Sequence, residues 1–265
     1  MAWSTVAGLA LAFAALLASI LIEHGNPLGM LNASGAVIVF GGTIGSALVS
    51  FPPQRTLSLP AALGQIFKSK LPSLEMTIDL LVDMADKARR QGLLSLEEAA
   101  AKLDDPFLRE GLQLVVDGTD PEVVRNLLEI ETDRTAERHA SSFGVLQAMG
   151  GYSPTMGIIG TVMGLVNVLG HMEDPSKLAG SIATAFLATF YGVGTANLVW
   201  LPLASKLRQL DEQEALVRGL MTVGILAIQA GENPRVVRTK LEAFLSPKNR
   251  KKDVAAEATG QEGKK

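Results

Sequence analysis

Apolar and polar positions in this chain fall into long alternating blocks. Residues 1–52 contain no Lys or Arg, residues 141–176 contain none, and the basic residues gather in 53–140 and 206–265. Four apolar runs reach the ~20 residues that a helix needs to cross a bilayer: 3–22, 30–51, 152–170 and 182–203. The first two form one hairpin within 1–52, joined by the turn Glu23-His24-Gly25-Asn26-Pro27, which is polar and carries two residue types that break helices. The last two form a second hairpin within 151–205, with a loop that begins at His171-Met172-Glu173-Asp174-Pro175. This second pair is the more broken one. Each of its spans carries a proline, several glycines and threonines, more than a lipid-facing anchor requires, so these helices are expected to face protein and an ion path.

Between the hairpins, residues 53–150 read as a helical region. Apolar side chains recur at helical spacing in the sets Leu63, Ile66, Phe67; Ile78, Leu81, Val82, Met84; and Leu108, Leu112, Leu114, Val115. Breaks are expected near Pro72, Gly92, Pro106 and Gly118–Pro121. Asp120 before Pro121 is an N-cap followed by proline at the first helical position, and no strong breaker except Gly144 follows before Met149. That helix is therefore expected to run straight into the third span. The fourth is expected to continue through 206–230 until Gly231-Glu232-Asn233-Pro234, with a last short helix at Pro234–Leu245. The tail 246–265, rich in Lys, Glu and Gly, reads as disordered. Alternation of the strand type is absent. The expected fold is an all-α membrane protein with four transmembrane helices and a helical cytoplasmic domain, helices three and four extending into the cytoplasm.

Charge sets the orientation. Of 24 Lys and Arg, eleven lie in 53–140 and twelve in 206–265, and only Lys177 sits in a short loop. The positive-inside bias places both large regions and both termini in the cytoplasm, in a multi-pass protein of the inner (cytoplasmic) membrane. Trp3, Tyr152 and Trp200 then lie at one interface, as an aromatic belt. No basic stretch precedes the first span, and no cleavage site followed by a soluble domain comes after it, so it reads as a retained span. The net charge of −3 implies no nucleic acid, and the basic run Lys248–Lys252 reads as a solvated tail near anionic lipid. Cysteine is absent, and His24, His139 and His171 stand far apart, so no metal site is expected. The chain has no nucleophile–base pair and no nucleotide loop, which leaves no enzyme reading.

No span contains Asp, Glu, Lys or Arg. Coupling to an ion gradient needs an ionisable group in the bilayer, so that group must come from a partner chain. Thr161 and Thr189 are the polar side chains nearest the middles of their spans. Their hydroxyls either line an ion path or bond a backbone carbonyl of their own helix and pack against a neighbour. Gly160 and Gly164 flank Thr161, and Gly41 and Gly45 form a GxxxG pair in the second span; both arrangements let helices approach closely. Pro154 and Pro202 stand at the cytoplasmic ends of the two central spans and suggest hinges. In the polar region, Asp86, Arg89 and Arg90 precede Glu97 and Glu98, either a solvated face with intrahelical pairs or a docking patch for a partner.

Together these residues resemble the MotA/PomA family of flagellar motor stator subunits. The likeness rests on GGTIG in the second span, RRQGLLSLEE in the polar region, SPTMGIIGTVMGL in the third span and ATAFLATFYGVGTANLVWLP in the fourth, and covers residues 1–245. It implies a homo-oligomer, a pentameric ring, around the transmembrane helices of a MotB/PomB-like subunit that supplies the intramembrane Asp. It implies passage of H+ or Na+ that turns the ring against the rotor protein FliG, with no cofactor. By position it implies rotor contact for Arg89, Arg90 and Glu97, extended to Asp86 and Glu98, a conformational role for Pro154 and Pro202, and ion-path roles for Thr161 and Thr189. The threonine at 161 resembles the sodium-type members, which tilts the ion toward Na+. Two rivals stay open: an ExbB/TolQ-type proton-driven energiser, which the tight turn at 23–29 and the GGTIG span oppose, and a passive membrane scaffold.

Overall fold

In the computed structural model the described residues are 2–68, 72–170 and 175–247. They form helices and turns, and no strand occurs among them. The helices are α1 (Ala2–Ile22), α2 (Ala33–Ala36), α3 (Gly42–Ser50), α4 (Pro53–Leu57), α5 (Leu59–Lys68), α6 (Leu74–Gln91), α7 (Glu97–Ala101), α8 (Pro106–Val116), α9 (Pro121–Leu169), α10 (Pro175–Thr195), α11 (Leu201–Gln229) and α12 (Pro234–Glu242). A π-helical segment, Val37–Gly41, joins α2 to α3, and a second, Ala196–Trp200, joins α10 to α11. Among the described residues, four helical stretches are long and apolar enough to cross a membrane: Trp3–Ile22, Ala33–Ser50, Pro121–Leu169 and Leu178–Gln229. The chain is an all-α membrane protein. Residues 171–174 of the expected outer loop, and the expected tail from 248 onward, lie outside the described residues.

The chain divides into two compact units, Met1–Ser69 with Arg138–Leu210 and Lys70–Glu137 with Asp211–Lys265. Helices α9 and α11 contribute to both. In the first unit the second apolar helix begins at Ala33, three residues after the expected start, because Asn32 caps it. The Asn32 side-chain oxygen accepts the Gly35 N–H at 2.6 Å, and Pro27–Met30 closes into a 3-10 turn instead. Val39, Thr43 and Ala47 form its inward face and are fully or almost fully buried. Ala47 packs with Leu59, Ile66, Val145, Leu146, Met149, Ala204 and Leu207. Phe51 turns extended ahead of Pro52, and Pro53 opens α4. No described residue of α1 is buried, and Trp3, Leu11, Leu17 and Ile22 are exposed. Such a surface calls for lipid or protein cover.

The second unit has its own core. Ile78 and Leu81 of α6, Leu108 and Leu112 of α8, Leu220 and Ile225 of α11 and Leu241 of α12 are all buried in it. Each short helix is stopped and started by local chemistry. The Ser73 hydroxyl accepts the Met76 N–H, the Asp105 carboxylate the Leu108 N–H, and Asn233 the Arg235 N–H. Gly92 ends α6 at φ 85°, a conformation that side chains other than hydrogen resist. Arg218 is the most enclosed cation of an ion pair here. It bonds Glu214 at 3.0 Å and Glu131 at 3.2 Å, and its guanidinium lies 4.9 Å from the centre of the Phe107 ring. Helix α12 ends at Glu242, short of the expected Leu245, yet Leu245 is buried in the same core through the turn that follows.

Leu112 is fully buried at the centre of this unit. Leu112→Ala should cost about 2–5 kcal/mol, read as a lowered thermal midpoint of the purified chain. An unchanged midpoint would show that the unit is not packed as described.

Candidate functional site

Helices α9 and α10 meet along a seam of small residues. A β-carbon placed on Gly157 would lie 2.8 Å from the Ala188 carbonyl oxygen and 3.0 Å from the Thr189 Cα. One on Gly192 would lie 2.5 Å from the Ser153 carbonyl oxygen. At Gly160 and Gly164 the obstacles would be the β-carbons of Ala188 and Ala185, at 2.7 and 2.6 Å. Backbone therefore rests on backbone, the arrangement through which helices without a hydrophobic driving force associate.

That approach brings Thr161 and Thr189 together. Their hydroxyl oxygens are 2.5 Å apart, and both threonines are half-buried. Thr161 Oγ1 also lies 3.1 Å from the carbonyl oxygens of Gly157 and Ala185, and Thr189 Oγ1 lies 3.3 Å from that of Gly157. Two hydroxyls supply only two protons. One hydroxyl must donate to the other, and the second donates onward to a carbonyl. Four oxygens thus converge with two protons among them, and lone pairs are left over. The intrahelical bond and the cross-helix cluster exist side by side.

Two further groups of this seam escaped the sequence reading. Ser153 is fully buried, and its hydroxyl lies 2.8 Å from that of Thr195. Thr195 donates to the Tyr191 carbonyl at 2.7 Å, so Ser153 is the donor within the pair. The available signal was spacing: Ser153 precedes Thr161 by two helical turns. The Tyr191 hydroxyl accepts the Asn32 N–H at 2.7 Å and donates to the Met30 carbonyl, which ties the start of α2 to α10. Beside the seam, Gly160, Gly164, Asn32, Ser34, Asn167 and Thr184 help to line a cavity of about 700 Å³ that, among the described residues, no charged side chain lines.

The glycines of the second span behave differently from expectation within this chain. Gly41 and Gly45 are exposed, and a β-carbon on either would meet nothing within 4 Å. A β-carbon on Gly42 would instead meet the Met156 sulfur at 2.6 Å, and one on Gly35 the Ala188 backbone at 3.4 Å. The register explains this. Val39, Thr43 and Ala47 hold the inward face, which turns 41 and 45 outward. The prolines also differ from each other. Helix α9 continues unbroken through Pro154, and the residue four before it, where a proline crowds a carbonyl, is a glycine, Gly150. Ahead of Pro202 the helix widens into the π segment Ala196–Trp200, the usual accommodation of a missing hydrogen bond. Each proline thus acts on its own helix.

The charged residues lie in the second unit. Arg89 and Arg90 end α6, and Glu97 and Glu98 open α7, each favourable to its helix dipole. Arg90 pairs with Asp86 at 3.0 Å and Glu98 with Lys102 at 2.6 Å. The hydrogen bond and charge of Lys102 hold the Glu98 carboxyl below its ordinary range. Arg89 and Glu97 are exposed and have no ion-pair partner among the described residues. Among those residues there is also no cluster of His, Asp and Glu suited to a metal.

Comparison with known proteins matches this arrangement. The family model of the MotA/TolQ/ExbB proton channel family fits residues 99–219. The chain is 33% identical to Motility protein A of Bacillus subtilis (strain 168) over 263 residues, 99% of this chain and 97% of that protein. It is 38% identical to Chemotaxis protein PomA of Vibrio alginolyticus over 244 residues, 92% of this chain and 95% of that protein. Its structure is similar to a chain of the flagellar MotAB stator complex from Bacillus subtilis, with a TM-score of 0.87 and 33% identity over 93% of this chain and 97% of that one.

The seam makes a sharp test. Gly192→Ala forces a methyl against a backbone carbonyl and should cost about 1–3 kcal/mol. Gly151→Ala, on the same helix as Ser153 with open space at its Cβ, should not. Thermal unfolding of the two purified variants compares them, and equal midpoints would contradict the packing described.

Proposed function

Because the chain belongs to the MotA/PomA family of flagellar motor stator subunits, we propose that it conducts an ion in complex with a MotB/PomB-like partner and turns that flow into torque on the rotor protein FliG. The observation that carries this reading is the oxygen cluster at Thr161 and Thr189, set on a seam that holds no charge of its own. Each hydroxyl keeps an acceptor lone pair while donating. With the carbonyls of Gly157 and Ala185, the cluster offers oxygens that can replace water around a cation. It holds no titratable group, so the carboxylate that binds and releases the ion comes from the partner helix. We assign Na+ as the ion, with H+ as the alternative.

The exposed apolar faces of α9 and α10 support assembly. Ile158, Val162, Val166 and Phe186 are each more than half exposed. A ring of copies, a pentamer, around the partner's helices covers such surfaces and leaves α1 to lipid. Both termini lie in the cytoplasm of a multi-pass inner-membrane protein. Arg89 and Glu97, which no pair among the described residues neutralises, meet the rotor, with Arg90, Glu98 and Asp86 beside them. Pro202 and the π segment before it give the compliant joint of α10–α11, while Pro154 shapes α9 without breaking it.

The test is torque in cells that lack their own stator, complemented with this chain and its partner, as sodium is varied at fixed pH. Speed should rise with sodium, and Thr161→Ala should raise the sodium needed for half-maximal speed at least about tenfold, ~1.4 kcal/mol. Speed indifferent to sodium but abolished by a proton uncoupler would assign H+ instead. Arg89→Glu should lower stall torque with membrane assembly unchanged, whereas Arg134→Glu, already paired with Glu137, should not.

A further inference from the structure

A groove of about 280 Å³ lies between the first turns of α1 and the junction where the second π segment passes into α11. Its walls change character along its length. Leu9 and Ala12 of α1 face it at the deeper end together with Leu198 and with Asn197, whose amide donates to the Val193 carbonyl. Ser4, Thr5, Ser205, Lys206 and Gln209 line the other end. These positions recur at helical spacing on both helices, so each helix offers one continuous face.

Lys206 gives the groove its depth in the bilayer. It is the first charged residue after 178–205, a run without Asp, Glu, Lys or Arg. It therefore stands at the membrane boundary, where a lysine runs its stem along apolar surface and presents its ammonium to the headgroups. Lys206 is half-buried and has no ion pair or hydrogen bond among the described residues. Among the described residues no carboxylate lines the groove. An uncompensated cation ringed by hydroxyls and an amide suits a phosphodiester, and the apolar end suits the glycerol and first methylenes below it.

We propose that this groove binds one anionic phospholipid, of the phosphatidylglycerol type, with its phosphate on Lys206. The absence of an acidic side chain sets the class. A headgroup that carries an amine finds no partner for its positive charge, whereas an anionic headgroup leaves none unmatched. The lipid has a structural consequence. Helix α1 buries no described side chain within this chain, so the lipid completes its packing against α11. Pro202 lines the same groove, so the bound lipid sits at the compliant joint of that helix.

The test uses the full chain purified with its partner and reconstituted in vesicles of equal phosphatidylcholine and phosphatidylglycerol. After mild delipidation in detergent, the retained lipid is identified by mass spectrometry. The wild type should retain phosphatidylglycerol over phosphatidylcholine about tenfold, and excess inorganic phosphate should not displace it. Lys206→Gln should bring the ratio close to one. Gly8→Leu should expel the lipid, because Gly8 lines the groove and nothing lies within 4 Å of a Cβ placed there, so the added side chain has room to enter it. Both variants should elute as the same oligomer as the wild type. Equal retention of the two lipids by the wild type would overturn the proposal, as would an unchanged ratio in Lys206→Gln. A second copy of the chain cross-linked into a lipid-free groove would overturn it as well.

Discussion

The contact of backbone on backbone between α9 and α10 is the constraint on which the first unit depends. Four glycines permit it, at 157, 160, 164 and 192, and at two of them the obstacle to a side chain is a main-chain carbonyl. Flexible side chains can move aside for a methyl group, but a helix carbonyl cannot without breaking its own hydrogen bond. The seam therefore has one register. That register places Thr161 opposite Thr189 and Ser153 opposite Thr195, so the hydroxyl pairs follow from the glycines. The Tyr191 hydroxyl then fastens the start of α2 to the same pair.

The absence of charge in the spans has a similar reach. An unpaired carboxylate in hydrocarbon would titrate or need a partner, and hydroxyls avoid that cost. The charges of the second unit are arranged on the opposite principle. Arg218 is enclosed by two glutamates and an aromatic ring and serves the core, while Arg89 and Glu97 stand open at helix ends. Exposed intrahelical pairs such as Arg90–Asp86 contribute a few tenths of a kcal/mol to stability. They add little to how the unit holds together.

Much of this fold was legible because its signals are local. Apolar runs of sufficient length marked the four long apolar helices. The Asp120–Pro121 start, the Gly92 and Gly231 stops and the unbroken pattern from 121 onward marked the helices that follow. What escaped depends on contacts distant in sequence or on small changes of helical pitch. The π segments leave no periodic trace, so the choice of Gly42 over Gly41 as the close-approach residue stayed hidden. Asn32 outranked the apolar pattern at Met30 because a side-chain cap decides where a helix begins. Thr161 and Thr189 were visible one at a time, but their meeting at 2.5 Å is a tertiary fact. Ser153 and Tyr191 drew no attention, since a lone hydroxyl in a span says nothing until its partner is known.

The same constraints say where α10 and α11 can deform. Sliding the seam past itself would press α-carbons and methyl groups into carbonyls all along α9 and α10, at a cost of about 1–3 kcal/mol for each such overlap. The seam therefore resists sliding, from Gly157 against Gly192 to Gly164 against Ala185. Softness lies instead where hydrogen bonding is already incomplete. Pro202 brings no N–H to the bond its position would make, and the π segment Ala196–Trp200 has a wider turn that can tighten or spread. A pair held backbone to backbone along its seam thus ends in a stretch whose hydrogen bonding is less complete.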